Sequence, residues 1–273
     1  MLRKSIKHEF RATTRVMLPV LIALVLLALV AHFSILLMKT YTLPWFLQGI
    51  GGAMIALFVI ALIAASVGVI VLTVIRFYRS FLSDEGYLNM TLPVSVHTHI
   101  SSRLIVSVVW YTLTAIAVAL CFMVMILDVG GWKDVFSGLT DLFRGIAEEG
   151  LTGHAVVLAL EFFVIIILTS AYSSLWLYAS LSVGHSFTRG KKGFSILFAF
   201  VFYHAVQLLS TITMIVLSQA DWTRYLEKFD AEPLKALPFM EGAAGVWILA
   251  FAGLCAVFYF ITHHFLSKKL NLE

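Results

Sequence analysis

The sequence predicts an all-α polytopic membrane protein with six transmembrane helices, and three observations carry that prediction. Hydrophobic residues make up 61% of the 273 positions and charged residues only 12%, whereas soluble domains run at about 45–50% apolar and about 25% charged. Mean hydropathy is +0.98. Six apolar runs, at about 17–38, 49–75, 104–127, 155–181, 194–217 and 245–265, each hold the roughly 20 residues that a helix needs to cross about 30 Å of hydrocarbon. A membrane barrel is excluded, because barrel strands are about ten residues long and alternate in polarity. The whole of 1–273 reads as one transmembrane domain.

The arm at 1–16 comes first. Leu2, Ile6, Phe10 and Thr13 share one helical face, with Lys4, Lys7, Arg11 and Arg15 elsewhere around the helix. That pattern predicts an amphipathic helix resting on anionic membrane lipid. The first apolar run is a full span behind this arm and not a short signal core, so it is read as retained. Charge then orients the spans. Both termini and the even-numbered connections carry thirteen basic residues, among them Arg3, Arg11, Arg76, Arg103, Lys191 and Lys268, against six on the other side. The positive-inside rule therefore places both termini in the cytoplasm of a multi-pass cell-membrane protein. The sequence pI near 9.1 is accounted for by these loop charges, so no nucleic-acid partner is implied. Cys121 and Cys255 both lie inside apolar runs, which offers neither a disulfide framework nor a metal motif.

The connection at 76–103 is the longest on the cytoplasmic side. It runs from Phe77 and Phe81 through Ser83, Asp84, Glu85, Gly86 and Tyr87 to Leu92 and Pro93. Pro93 disfavours helix at Leu92, and Ser95 stands where it can cap a helix entering the third span. On the outer side, Trp132, Val135, Phe136, Leu139, Leu142, Phe143 and Ile146 recur at spacings of three and four, which predicts a helix along the membrane surface. Trp222, Tyr225, Leu226 and Phe229 repeat the pattern more briefly before Pro233 and Pro238. Neither outer segment is long enough to bury a core of its own.

Inside the membrane the informative residues are polar. By helical rise Glu161 lies about 12 Å from the outer surface and His204 about 15 Å from the inner one, so the two depths nearly coincide. Gln207 lies one turn further out. A charged glutamate at that depth costs a few kcal/mol unless paired, protonated or wetted. Glu161, His204 and Gln207 are thus read either as a structural hydrogen bond between the fourth and fifth spans or as a polar spot on a substrate path.

Enzyme motifs are not found. His8–Glu9 lacks the second histidine of a zinc helix, while His97 and His99, like the adjacent His263 and His264, lack the i, i+4 spacing of a metal pair. The stretch from Gly184 to Lys192 fails the spacing and chemistry of a phosphate-binding loop. No catalytic, cofactor or metal residue is assigned.

The phrase TLPVS, following DEGYLNM and leading into a basic residue and a new span, resembles the segment between the second and third spans of ABC-2 type permease subunits. The likeness extends over nearly the whole chain, through the basic arm, the six spans, the outer segment between spans five and six and the tail KKLNLE. It implies a permease that pairs with a second permease subunit, the same or a related chain, and with a separate ABC ATPase that supplies ATP and magnesium. It implies also that 76–103 is the coupling element, with Phe77, Phe81, Ser83, Asp84, Glu85, Gly86, Tyr87, Leu92 and Pro93 facing that ATPase. The implied cargo is amphipathic: a peptide, lipid or drug. The long amphipathic loop between spans three and four departs from the family layout. Two other classes stay open, a non-transporting scaffold or sensor and a proton-coupled secondary carrier working through Glu161 and His204.

Overall fold

A computed structural model describes residues 2–42, 44–83, 86, 95–126, 129–187, 189–218 and 233–268. These form seven α-helices: α1 (Leu2–Thr40), α2 (Trp45–Phe81), α3 (Val96–Ile126), α4 (Val129–Glu148), α5 (Thr152–Gly184), α6 (Lys191–Ser218) and α7 (Leu237–Lys268), with a 3₁₀ turn at Pro233–Ala236. All but α4 are long and apolar enough to cross a membrane. Among the described residues there is no strand. The protein is an all-α polytopic membrane protein.

The chain divides into two compact units, residues 1–76 with 101–139, and residues 77–100 with 140–273. Helices α2 and α3 therefore each begin in one unit and end in the other.

In the first unit, α1, α2 and α3 pack through two clusters. Leu24, Ala28 and Ala31 meet Phe58, Ala65 and Cys121, while Met17 meets Val69, Val106 and Trp110. The alanines matter because lipid removes the hydrophobic drive for helices to associate, and small side chains let backbones approach and gain dispersion contacts. The N-terminal helix expected at 1–16 is present and is continuous with the first span. Residues 2–16 continue without a break into the first span, giving one helix of 39 residues, about 58 Å long. On its apolar face Thr13 is buried and Ile6 half-buried against the protein, whereas Leu2 and Phe10 keep 39% and 36% exposure. Phe10 stacks on Trp110 with centroids 5.4 Å apart, Trp110 Nε1 donates to Thr13 Oγ1 at 2.8 Å, and Ile6 packs on the Met17 cluster. The reason is period: 6, 10, 13, 17, 24, 28 and 31 form one continuous stripe at helical spacing, and the span cannot bury its half without the arm following.

In the second unit α5 packs along α6 and α7. Ser195 of α6 comes so close to Gly184 that a Cβ there would collide with its backbone and hydroxyl, so only glycine permits this tight helical return. Pro238 stands in the first turn of α7, where its missing N–H leaves no bond unmade. Cys255 Sγ lies 3.6 Å from the Leu168 carbonyl, and Cys121 is buried, so both cysteines are packing residues.

The outer helix expected around 132–146 is present as α4, and Phe136, Leu139, Leu142 and Phe143 lie exposed along it. Trp222, Tyr225, Leu226 and Phe229 lie outside the described residues.

Candidate functional site

The connection between α2 and α3 is held at both stems within the second unit. Phe77 is fully buried and stacks on Tyr178 of α5, with ring centroids 4.0 Å apart and planes 12° from parallel. Phe81, 1% exposed, lies 4.9 Å from Phe77 and edge-on to His99 at 6.2 Å. Tyr78 meets His185 edge-on at 5.4 Å. On the returning stem, His97 stacks on His263 of α7 at 3.9 Å, and its Nδ1 lies 3.0 Å from the Tyr259 hydroxyl. The ends of α2, α3, α5 and α7 thus meet in one aromatic junction.

Local sequence explains how the two described ends of the connection are formed. Ser83 Oγ donates to the Arg79 carbonyl at 2.7 Å, and the Gly86 amide donates to the Ser83 carbonyl at 2.7 Å, which closes the end of α2. A Cβ on Gly86 would stand 2.5 Å from the Phe81 carbonyl oxygen, so the turn requires glycine. Ser95 caps α3 as its position suggests: the Thr98 amide points at Ser95 Oγ at 3.4 Å and at the Ser95 carbonyl at 2.9 Å.

These contacts correct part of the sequence reading. Phe77 and Phe81 do not face water or a partner, because their rings fill the chain's own junction with α5. Two aromatics at i, i+4 on a helix end are an apolar face, and here that face has an internal receptor. Asp84, Glu85, Tyr87, Leu92 and Pro93 lie outside the described residues.

His185 follows α5 directly and supports the same junction. Its Nδ1–H donates to the Leu181 carbonyl at 2.9 Å, and Ser195 Oγ lies 3.1 Å from the same nitrogen. Burial holds this imidazole below its ordinary pKa of 6.5, and the nearby charges of Lys191 and Lys192 act in the same direction. The Leu181 carbonyl can only accept, so the proton of that bond sits on Nδ1.

The intramembrane residues do not assemble as a trio. Glu161 faces α7, where its Oε1 would stand 3.7 Å from a Cβ on Gly245, and its Oε2 is buried with no hydrogen-bond partner. His204 is exposed on α6 and touches the rings of Phe200 at 4.0 Å and Tyr203 at 5.3 Å, while Gln207 is exposed one turn on. Of the two readings, the hydrogen bond between the fourth and fifth spans is not made by Glu161 Oε2. Equal depth brought the residues to one level, but helix rotation aims Glu161 at the sixth span. Nearer the start of α5 the same interface is polar again, with His154 Nδ1 2.7 Å from Glu241 Oε2.

Sequence reasoning passed over one charged cluster entirely. In the first unit the Glu9 carboxylate bridges Arg76 at 3.4 Å and Arg103 at 3.5 Å, with side-chain exposures of 12%, 31% and 7%. Ser5 Oγ donates to Ser102 Oγ at 3.1 Å beside it. A lone acid in a basic arm was the available signal. No protein-family model and no curated protein matches the chain.

If Glu161 sits on a substrate path, Glu161→Gln inserts and folds at wild-type stability or better, since it removes a carboxylate that costs about 2.5–3.5 kcal/mol at the centre of a membrane helix. Transport then falls about tenfold, the lower end of what losing a charge-assisted hydrogen bond removes. Substrate flux in reconstituted vesicles, measured beside thermal stability, checks this. Unchanged flux with unchanged stability removes Glu161 from the path.

Proposed function

We propose that this chain is the membrane-spanning permease subunit of an ATP-driven exporter, working as a dimer with a second permease chain and powered by a separate ATPase subunit. The observation that carries the reading is the clamped connection between α2 and α3. A segment gripped at one stem by Phe77 on Tyr178 of α5 and Tyr78 on His185 just after it, and at the other by His97 on α7, transmits a push into the helices that pack as the second unit. A loose loop would absorb it. The TLPVS resemblance falls on that same segment, and the acids Asp84 and Glu85 within it are the groups offered to a partner on an otherwise basic side.

The dimer draws support from α6. Large apolar side chains along it, Ile196, Phe200 and Leu208, are exposed, and His204 and Gln207 stand exposed among them. Lipid tails offer an imidazole and an amide no hydrogen bond, whereas a second permease chain does. The cargo is an amphipathic peptide, lipid or drug, in keeping with apolar helices and few intramembrane charges. A proton-coupled carrier is the second reading, favoured by the unpartnered Glu161 carboxylate oxygen.

Purification of the tagged chain from its native membrane tests the proposal. An ATPase subunit bearing a phosphate-binding loop comes with it if the reading is right. Transport that follows a proton gradient without ATP favours the carrier. The orientation has its own test: a membrane-impermeant thiol reagent applied to intact cells labels a cysteine at Ser137 and leaves one at Ser83 unlabelled. The opposite pattern inverts the topology.

A further inference from the structure

One face of α1 is neither packed nor paired. His8, Arg11, Ala12 and Arg15 line an open cavity of about 330 Å³. Positions 8, 11 and 15 follow a 3–4 spacing that places them on one face, well away from the stripe of Ile6, Phe10, Thr13 and Met17 that packs on the rest of the first unit. Neither Arg11 nor Arg15 enters any of the ion pairs among the described residues, and the arm's own acid, Glu9, is turned inward to Arg76 and Arg103. The cavity therefore carries uncompensated positive charge.

The same face continues into the membrane as bare hydrocarbon surface. Leu18, Ile22 and Leu26 extend the 11, 15 spacing and are 48%, 51% and 57% exposed. Leu26 lies about 16 Å along the helix from Arg15, which matches half of a hydrocarbon core about 30 Å thick. Arg15 thus stands at the level of lipid headgroups, with a track of leaflet length beginning three residues later. A planar guanidinium offers paired donors that fit phosphate, and two of them beside an imidazole fit an anion better than a zwitterion. An acidic protein segment would match the charge, yet it would leave the apolar track uncovered.

We propose that His8, Arg11 and Arg15 form the headgroup site for one acidic phospholipid, whose acyl chain lies along Leu18, Ile22 and Leu26. The lipid completes the outer face of α1 at the membrane boundary.

Native mass spectrometry of the full chain, released from nanodiscs of phosphatidylcholine containing a minor share of phosphatidylglycerol, tests the site. The wild type retains one phosphatidylglycerol in preference to phosphatidylcholine. Arg11→Gln with Arg15→Gln lowers that preference roughly 30-fold, the effect of two basic side chains at an acidic surface. The charge-matched control Arg189→Gln with Lys192→Gln leaves it intact, and Arg11→Lys with Arg15→Lys retains part of it. Folding of each variant is followed by its elution as a monodisperse peak. Equal retention by the double Gln variant overturns the proposal. So does displacement of the lipid by millimolar inorganic phosphate, because a free-anion site would not need the acyl track.

Discussion

Phe77→Ala lowers stability by about 3–4 kcal/mol, the range for emptying a fully buried aromatic position. The loss is large because the ring fills space between α2 and α5, and about 0.5–1.5 kcal/mol of it belongs to stacking on Tyr178. Phe81→Ala has a similar though smaller effect, since His99 and Phe77 close over that site from two sides. Phe77→Leu keeps most of the volume and recovers part of the loss. Thermal stability of detergent-solubilised protein, followed by size-exclusion fluorescence, reads all three. A wild-type melting temperature for Phe77→Ala would mean that the stem of the connection is not held by this ring.

Glu9→Ala has the second large effect. Removing the carboxylate takes away the charge shared by Arg103, almost entirely buried, and Arg76, about one third exposed. Breaking a buried ion pair from one side typically costs about 3–5 kcal/mol, and the exposure of Arg76 brings the expected loss to about 2–4 kcal/mol. The double variant Glu9→Gln with Arg103→Gln is milder than Glu9→Ala, since it removes a cation along with the anion. Thermal melts of the three proteins at low and high salt check this. The single variant should gain from salt, which screens the residual repulsion.

Fold class was legible because hydrocarbon thickness imposes a length that composition cannot hide. Five of the six predicted apolar runs lie inside a helix, as does the third up to Ile126, and the helices overrun the runs because segments such as Val96–Arg103 and Phe77–Phe81 continue them. The arm was legible as a helix with one apolar face, but the contacts of that face were not. Its apolar face at Ile6, Phe10 and Thr13 was visible, but periodicity alone does not say whether an apolar face meets lipid or Trp110. The intramembrane trio failed on rotation: depth follows from residue counting, whereas the direction of Glu161 depends on how α5 turns against α7. The partners His97 and His263 are 166 positions apart, and no local spacing announces such a pair. The acidic cluster at Glu9 escaped because one acid among five bases resembles noise until tertiary contact gives it two arginines.

The central claim is that the connection between α2 and α3 couples this chain to an ATPase, and charge reversal in that connection tests it most directly. Asp84→Lys with Glu85→Lys, and separately Tyr87→Ala, are made in the tagged chain and purified from the native membrane. Co-purified ATPase and substrate-stimulated hydrolysis are then measured in reconstituted vesicles. Because truncating a hot-spot residue typically costs about 2 kcal/mol or more, recovery of the ATPase should fall roughly 30-fold while the six spans insert normally. Wild-type recovery and wild-type hydrolysis in variants that insert normally would contradict the account.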